Sequence, residues 1–138
     1  MLTMKNKILI LMIFSVLIYA CSQNQIQGQI IDDRQSFNGS YKIGVMLALT
    51  GDAATYGLPE QQAIKIAIDE INSNGGINGK KLIAVYEDSK CNPKDGNAAA
   101  QKLINIDKVK VIIGGSCSGE TLGAGPIAEQ NRVILISP

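Results

Sequence analysis

From residue 41 onward, four short apolar runs alternate with three longer segments of helical period. The runs at 42–47, 82–86, 109–113 and 133–136 are short and separated by longer segments with polar or glycine-rich turns, which predicts strands. Between the first two, Ile64, Ala67, Ile68 and Ile71 recur on one helical face, and Pro59 suits a first turn. This predicts a helix from Pro59 to about Asn72, preceded by a loop over 48–57 with Gly51 and Gly57 as breakers. Gly75-Gly76 and Asn78-Gly79 turn the chain into the second strand. The polar stretch 87–93 ends in a proline that can open a second helix, running to about Ile106, and a third is predicted from Glu120 to Asn131. Strands alternating with helices give an α/β fold, a parallel sheet with crossover helices. Right-handed crossovers place all four strands in that one sheet.

Ahead of this body the pattern changes. Lys5 and Lys7 precede an uncharged run over 8–20, too short to span a bilayer but suited to the h-region of an export signal. Residues 1–20 are therefore expected to be a signal peptide. Ile18-Tyr19-Ala20-Cys21 resembles a bacterial lipobox, although Tyr19 is an unusual occupant, and it predicts lipidation at Cys21. The competing reading is an ordinary signal cleaved nearby. Two or three acyl chains, at about 0.8 kcal/mol per buried methylene, would anchor the protein stably to the membrane. Residues 21–40 are rich in Gln, Asn, Asp and Ser without apolar period, and read as a flexible tether. A net charge of +1 gives no reason to expect nucleic acid or a basic membrane patch.

Residues 41–138 hold enough chain for a core, but the last strand has no successor where a doubly wound sheet continues through a fifth and sixth. A piece of a longer protein is expected. The alternative is a flavodoxin-like miniature pairing through its open edge.

Of three cysteines, Cys21 belongs to the anchor, which leaves Cys91 and Cys117 as a pair in an oxidising compartment. Both follow the carboxyl end of a strand, and neighbouring strands would bring their loops together. A disulfide closing a loop of about 25 residues would contribute roughly 3 to 4 kcal/mol and pin the loop that ends at Ser118. Two independent buried thiols are the other reading.

Open parallel sheets bind ligands beyond the carboxyl ends of their strands, where helix N-termini offer unpaired amides. Two loops qualify. Residues 48–57 carry Thr50 and Tyr56, and residues 114–119 carry Ser116 and Ser118 among glycines that admit close approach to the backbone. Ser118 at a helix entrance could donate its hydroxyl to a carboxylate, or could simply cap the helix. Gly115-Ser116-Cys117-Ser118-Gly119 also fits a cysteine nucleophile elbow, but that chemistry needs a base and the chain has no histidine.

The stretches Leu49-Thr50-Gly51-Asp52-Ala53-Ala54-Thr55-Tyr56-Gly57, Ile71-Asn72-Ser73-Asn74-Gly75-Gly76-Ile77-Asn78-Gly79, Tyr86-Glu87-Asp88-Ser89-Lys90-Cys91-Asn92-Pro93, Gly114-Gly115-Ser116-Cys117-Ser118 and Ile134-Leu135-Ile136-Ser137-Pro138 occur in this order behind Tyr41-Lys42-Ile43-Gly44-Val45. Together they resemble the N-terminal lobe of type I periplasmic binding proteins, the Leu/Ile/Val-binding group serving ABC importers, in incomplete form. The resemblance implies a receptor that closes two lobes over a small zwitterion and hands it to permease subunits, with no cofactor, no metal and no covalent chemistry. It assigns the ligand's α-carboxylate to Ser118, a pocket wall to Tyr56, and backbone and wall contacts to Ser116 and Cys117. Further contacts in that group come from beyond the Ile-Ser-Pro segment and from the second lobe. The same framework also serves ligand sensors fused to signalling domains, though a lipidated N-terminus favours an importer receptor.

Overall fold

The computed structural model describes residues 39–137; the expected signal peptide, Cys21 and nearly all of the tether lie outside them. The strands are β1 (Ser40–Leu47), β2 (Lys81–Asp88), β3 (Val111–Gly114) and β4 (Ile134–Ile136). Between them run the helices α1 (Ala54–Ser73), α2 (Pro93–Asn105) and α3 (Ser118–Gln130). All strands are parallel in one sheet of order β2-β1-β3-β4, which is the predicted fold class.

The order follows from the direction of each crossover. β1 passes to β2 on one side, whereas β2 to β3 and β3 to β4 step the other way. Because crossovers are right-handed, the reversal puts α1 on one face and α2 and α3 on the opposite face. Side-chain alternation agrees with this. Gly44 and Met46 face α2, where a Cβ on Gly44 would meet Leu103 at 3.0 Å, while Leu47 shares a cavity with Ala63 and Ile64 of α1. The core lies on the α2–α3 face, built from Met46, Leu103, Ile104, Ile112, Ala124 and Ala128 with their neighbours.

The two helices on that face approach closely because glycines line their contact. A Cβ on Gly123 would lie 2.2 Å from the Pro93 carbonyl oxygen, and the Asn97 amide donates to the Gly123 carbonyl at 3.0 Å. α2 starts where expected. Asn92 accepts the Asp95 amide at 2.9 Å, and Pro93 takes the first position, where its missing N–H costs nothing. Asn72, near the end of α1, grips β2 with both ends of its side-chain amide, donating to the Leu82 carbonyl and accepting the Leu82 N–H.

Three expectations need correction. α1 begins at Ala54, not Pro59, and takes in Tyr56 and Gly57 as helical residues. Gly57 is not a breaker but a contact point: a Cβ there would lie 2.0 Å from the Ala48 carbonyl oxygen, so only glycine lets the helix sit this close to the end of β1. The apolar stripe of α1 is also less buried than its period implies, with Ile64 and Ile68 half-buried and Ala67 and Ile71 exposed. α1 packs against β1 and β2, and on the same face Ile134 and Ile136 of β4 stay exposed. Finally, β2 and β3 are not neighbours, since β1 lies between them. Their loops meet because both turn toward the same face, into helices that pack together.

Candidate functional site

β1 and β3 are adjacent, but the chain leaves them toward opposite faces, so the loops beyond their carboxyl ends diverge and leave a crevice at the switch point of the sheet. The first turn of α1 and the first turn of α3 flank it. First-turn amides of a helix have no intrahelical acceptor and carry the positive end of its dipole.

Ser118 is the first residue of α3 and is exposed. The N-cap position belongs to Cys117, so Ser118 is not the cap. Among the described residues no partner of its hydroxyl is present. Tyr56 lies in the first turn of α1 with 71% of its surface exposed. Glu60 stands one helical turn further along the same face and accepts the Ser116 hydroxyl at 2.6 Å, which ties α1 to the loop after β3. Ser116, Cys117 and Ser118 are thus gathered with the Tyr56 face of α1 around one crevice. Thr50 is drawn elsewhere, because its hydroxyl donates to Asp88.

The loop after β3 is held from several directions. Cys91 and Cys117 are joined by a disulfide with Cα atoms 5.3 Å apart. With its sulfur so bonded, Cys117 offers no thiolate for a nucleophile elbow. Glu120, wholly buried, accepts the Cys117 amide at 2.9 Å and the hydroxyl of the equally buried Ser89. The Ser137 hydroxyl donates to the Gly115 carbonyl at 3.2 Å, bringing the chain after β4 to the same place. The glycines here serve the protein's own packing. Gly114 has φ +116° and a Cβ on it would lie 1.9 Å from the Met46 carbonyl oxygen, while one on Gly115 would strike Glu120. Only Gly119 leaves ordinary space, with Pro93 at 3.5 Å.

Beneath the crevice on the α1 face is an open cavity of about 380 Å³, lined by Leu47, Ile64, Ile113 and Ile136 with Glu60 at its rim. On the opposite flank Asp88 organises the loop after β1. Burial pushes its carboxyl up, but hydrogen bonds from the Thr50 hydroxyl and from the amides of Leu49, Lys90 and Thr50 outweigh that and hold it below the usual carboxylate range. Among the described residues no group of three or more His, Cys, Asp or Glu is arranged to hold a metal ion. Such an arrangement suits a small ligand with a carboxylate, received by amides and a hydroxyl, and an apolar portion.

Sequence reasoning passed over Glu60, Asp88 and the full role of Glu120. A signal existed for Glu120, since an acidic residue three positions beyond an N-cap is the second half of a capping box. For Glu60 the signal was its spacing of one turn from Tyr56.

Residues 40–138 match the family described as periplasmic binding protein. The Leu/Ile/Val/Thr-binding protein of Salmonella typhimurium is 40% identical over 103 residues, covering 75% of this chain and 28% of that protein. The leucine-, isoleucine-, valine-, threonine- and alanine-binding protein of Pseudomonas aeruginosa is 39% identical over 97 residues, 70% of this chain and 26% of its own length. Among solved structures, the branched-chain amino acid transporter substrate-binding protein LivJ of Streptococcus pneumoniae, in complex with isoleucine, aligns with a TM-score of 0.69 at 36% identity, over 72% of this chain and 28% of that one. A solute-binding protein of an ABC transporter from Rhodopseudomonas palustris, in complex with 3,4-dihydroxybenzoic acid, aligns with a TM-score of 0.65 at 33% identity, over 71% of this chain and 26% of that one. The chain therefore spans a little over a quarter of the length of these relatives.

Proposed function

The chain belongs to the periplasmic binding protein family, and from this premise we propose that it is part of the substrate-binding receptor of an ABC importer. The receptor captures a small zwitterion, a branched-chain or other aliphatic amino acid, outside the cell membrane and delivers it to permease subunits. Relatives that bind leucine, isoleucine and valine support the ligand class, and one that holds a dihydroxybenzoic acid shows how far the framework can vary. The observation that carries the reading is the entrance of α3. Ser118 is exposed and the Ser118 and Gly119 amides lack intrahelical acceptors, at the switch point where an open α/β sheet receives its ligand.

In this mechanism the carboxylate docks on the Ser118 hydroxyl and the first-turn amides, where charge-assisted hydrogen bonds and the helix dipole both favour an anion. Tyr56 covers the ligand from the α1 side. Ser116 and Cys117 form the wall, with Ser116 held by Glu60 and Cys117 by its disulfide, so little loop entropy remains to be lost on binding. Export by residues 1–20 and lipidation of Cys21 would keep the receptor at the membrane on its tether, and the Cys91–Cys117 disulfide suits that oxidising location.

Calorimetry of the intact natural protein with L-leucine, L-isoleucine, L-valine and a neutral polar control tests the ligand class. Ser118→Ala is expected to weaken binding of the preferred amino acid by about 1.5 to 3 kcal/mol, the worth of a hydrogen bond to a charged group. Unchanged affinity would remove Ser118 from the site. Radiolabelled fatty acid incorporated into the wild type and not into Cys21→Ser would support the anchor, and no incorporation would exclude it.

A further inference from the structure

Glu120 is the third residue of α3 and is wholly buried, a place where a carboxyl is costly unless fully hydrogen-bonded. Each of its oxygens has a donor, and the donors come from different loops. Oε1 accepts the Cys117 amide at 2.9 Å, and Oε2 accepts the hydroxyl of Ser89, in the loop after β2. Two glycines make the room. A Cβ on Gly115 would lie 2.4 Å from Glu120 Cγ, and one on Gly96 would lie 2.7 Å from the Glu120 carbonyl oxygen. The carboxylate thus joins the loop after β2 to the loop after β3 alongside the disulfide, the two links meeting at Cys117.

The geometry points to Glu120 as a positioning residue for the ligand loop. It fixes the Cys117 amide inward, so that the adjoining Ser118 hydroxyl and first-turn amides stay outward and ready for a carboxylate. This rests on the amino-acid-binding reading of that loop. The chemistry also distinguishes the variants. Glu120→Gln keeps an acceptor for Cys117, and the Ser89 hydroxyl can rotate to accept from the new side-chain amide. Glu120→Ala removes both acceptors and leaves the half-buried Cys117 N–H without its carboxylate partner.

The test uses the intact protein, with L-isoleucine as the probe, and reads affinity by calorimetry and exchange of the Cys117 amide by NMR. Glu120→Gln is expected to bind isoleucine within a few-fold of the wild type and to keep the amide protected. Glu120→Ala is expected to lose on the order of tenfold or more in affinity and to exchange that amide at least as much faster. Glu120→Met, which fills the space without an oxygen acceptor, is expected to behave as alanine does in both readouts, and rescue by methionine would reduce Glu120 to a filler of space. A Cys117 amide already unprotected in the wild type, or a Glu120→Ala protein that binds isoleucine as the wild type does, would overturn the assignment. Should the wild type not bind isoleucine, the amino-acid reading fails while exchange still decides: faster in alanine than in glutamine supports positioning, equal rates refute it. If Glu120→Ala does not fold, Ser89→Ala takes its place, with a smaller shift in the same readouts expected and no shift contradicting the role.

Discussion

Asp88 shows how a single side chain can set the shape of a loop. Its carboxylate gathers the Leu49 amide, the Thr50 hydroxyl and the Lys90 amide, and these donors favour its charged form strongly enough to outweigh burial. A carboxyl lowered in the folded state stabilises the protein fully above its ordinary value of 3.8, and that contribution is lost as pH falls through the folded value. Denaturant titrations at a series of pH values should therefore show the wild type and Asp88→Asn converging in stability on acidification below about pH 4. A gap that stays constant with pH would show that the hydrogen bonds do not depend on charge. Residue-level legibility was uneven for a physical reason. Ser118 is singled out by local chain chemistry at an expected helix entrance, and Tyr56 by the loop pattern that carries the family resemblance. Spacing could mark Glu60 and Glu120 themselves, but their partners Ser116 and Ser89 lie 56 and 31 residues away, and no local pattern reveals those pairings.

Among the elements, α1 and α3 each depend on a close approach that a glycine permits. Gly57→Ala would drive a Cβ to 2.0 Å from the Ala48 carbonyl oxygen and is expected to cost about 1 to 3 kcal/mol in thermal or chemical denaturation. Gly123→Ala on α3 would place a Cβ 2.2 Å from the Pro93 carbonyl oxygen and is expected to cost a similar amount. An unchanged stability in Gly57→Ala would show that α1 is misplaced against β1. Leu103→Ala on α2 removes a fully buried core side chain and should cost about 2 to 5 kcal/mol. The disulfide links residues 26 apart, so its reduction should cost roughly 3 to 4 kcal/mol by the chain-entropy estimate. Strand and helix order could be read from periodicity and from the Asn92-Pro93 start of α2. The true start of α1 could not, because Gly57 resembles a breaker until the β1 carbonyl beneath it is seen.

For the molecule as a whole, topology decides where function can sit. The order β2-β1-β3-β4 reverses the crossover direction, and β1 and β3 are the adjacent strands whose onward connections step apart, β1 toward β2 and β3 toward β4. The sequence placed the ligand loops at strand ends but made β2 and β3 neighbours, since strand order emerges from long-range pairing. The α1 face is half covered, with Ile134 and Ile136 of β4 exposed, and the chain covers a little over a quarter of its relatives' length. Tight binding is therefore a property to measure on the intact protein. The most direct test is an NMR titration of that protein, labelled with nitrogen-15, using L-isoleucine whose carboxyl carries carbon-13. Docking of the carboxylate at the α3 entrance predicts saturable shifts of the Ser118 and Gly119 amides that track the ligand carboxyl resonance. Saturable binding that leaves those two amides unmoved would contradict it.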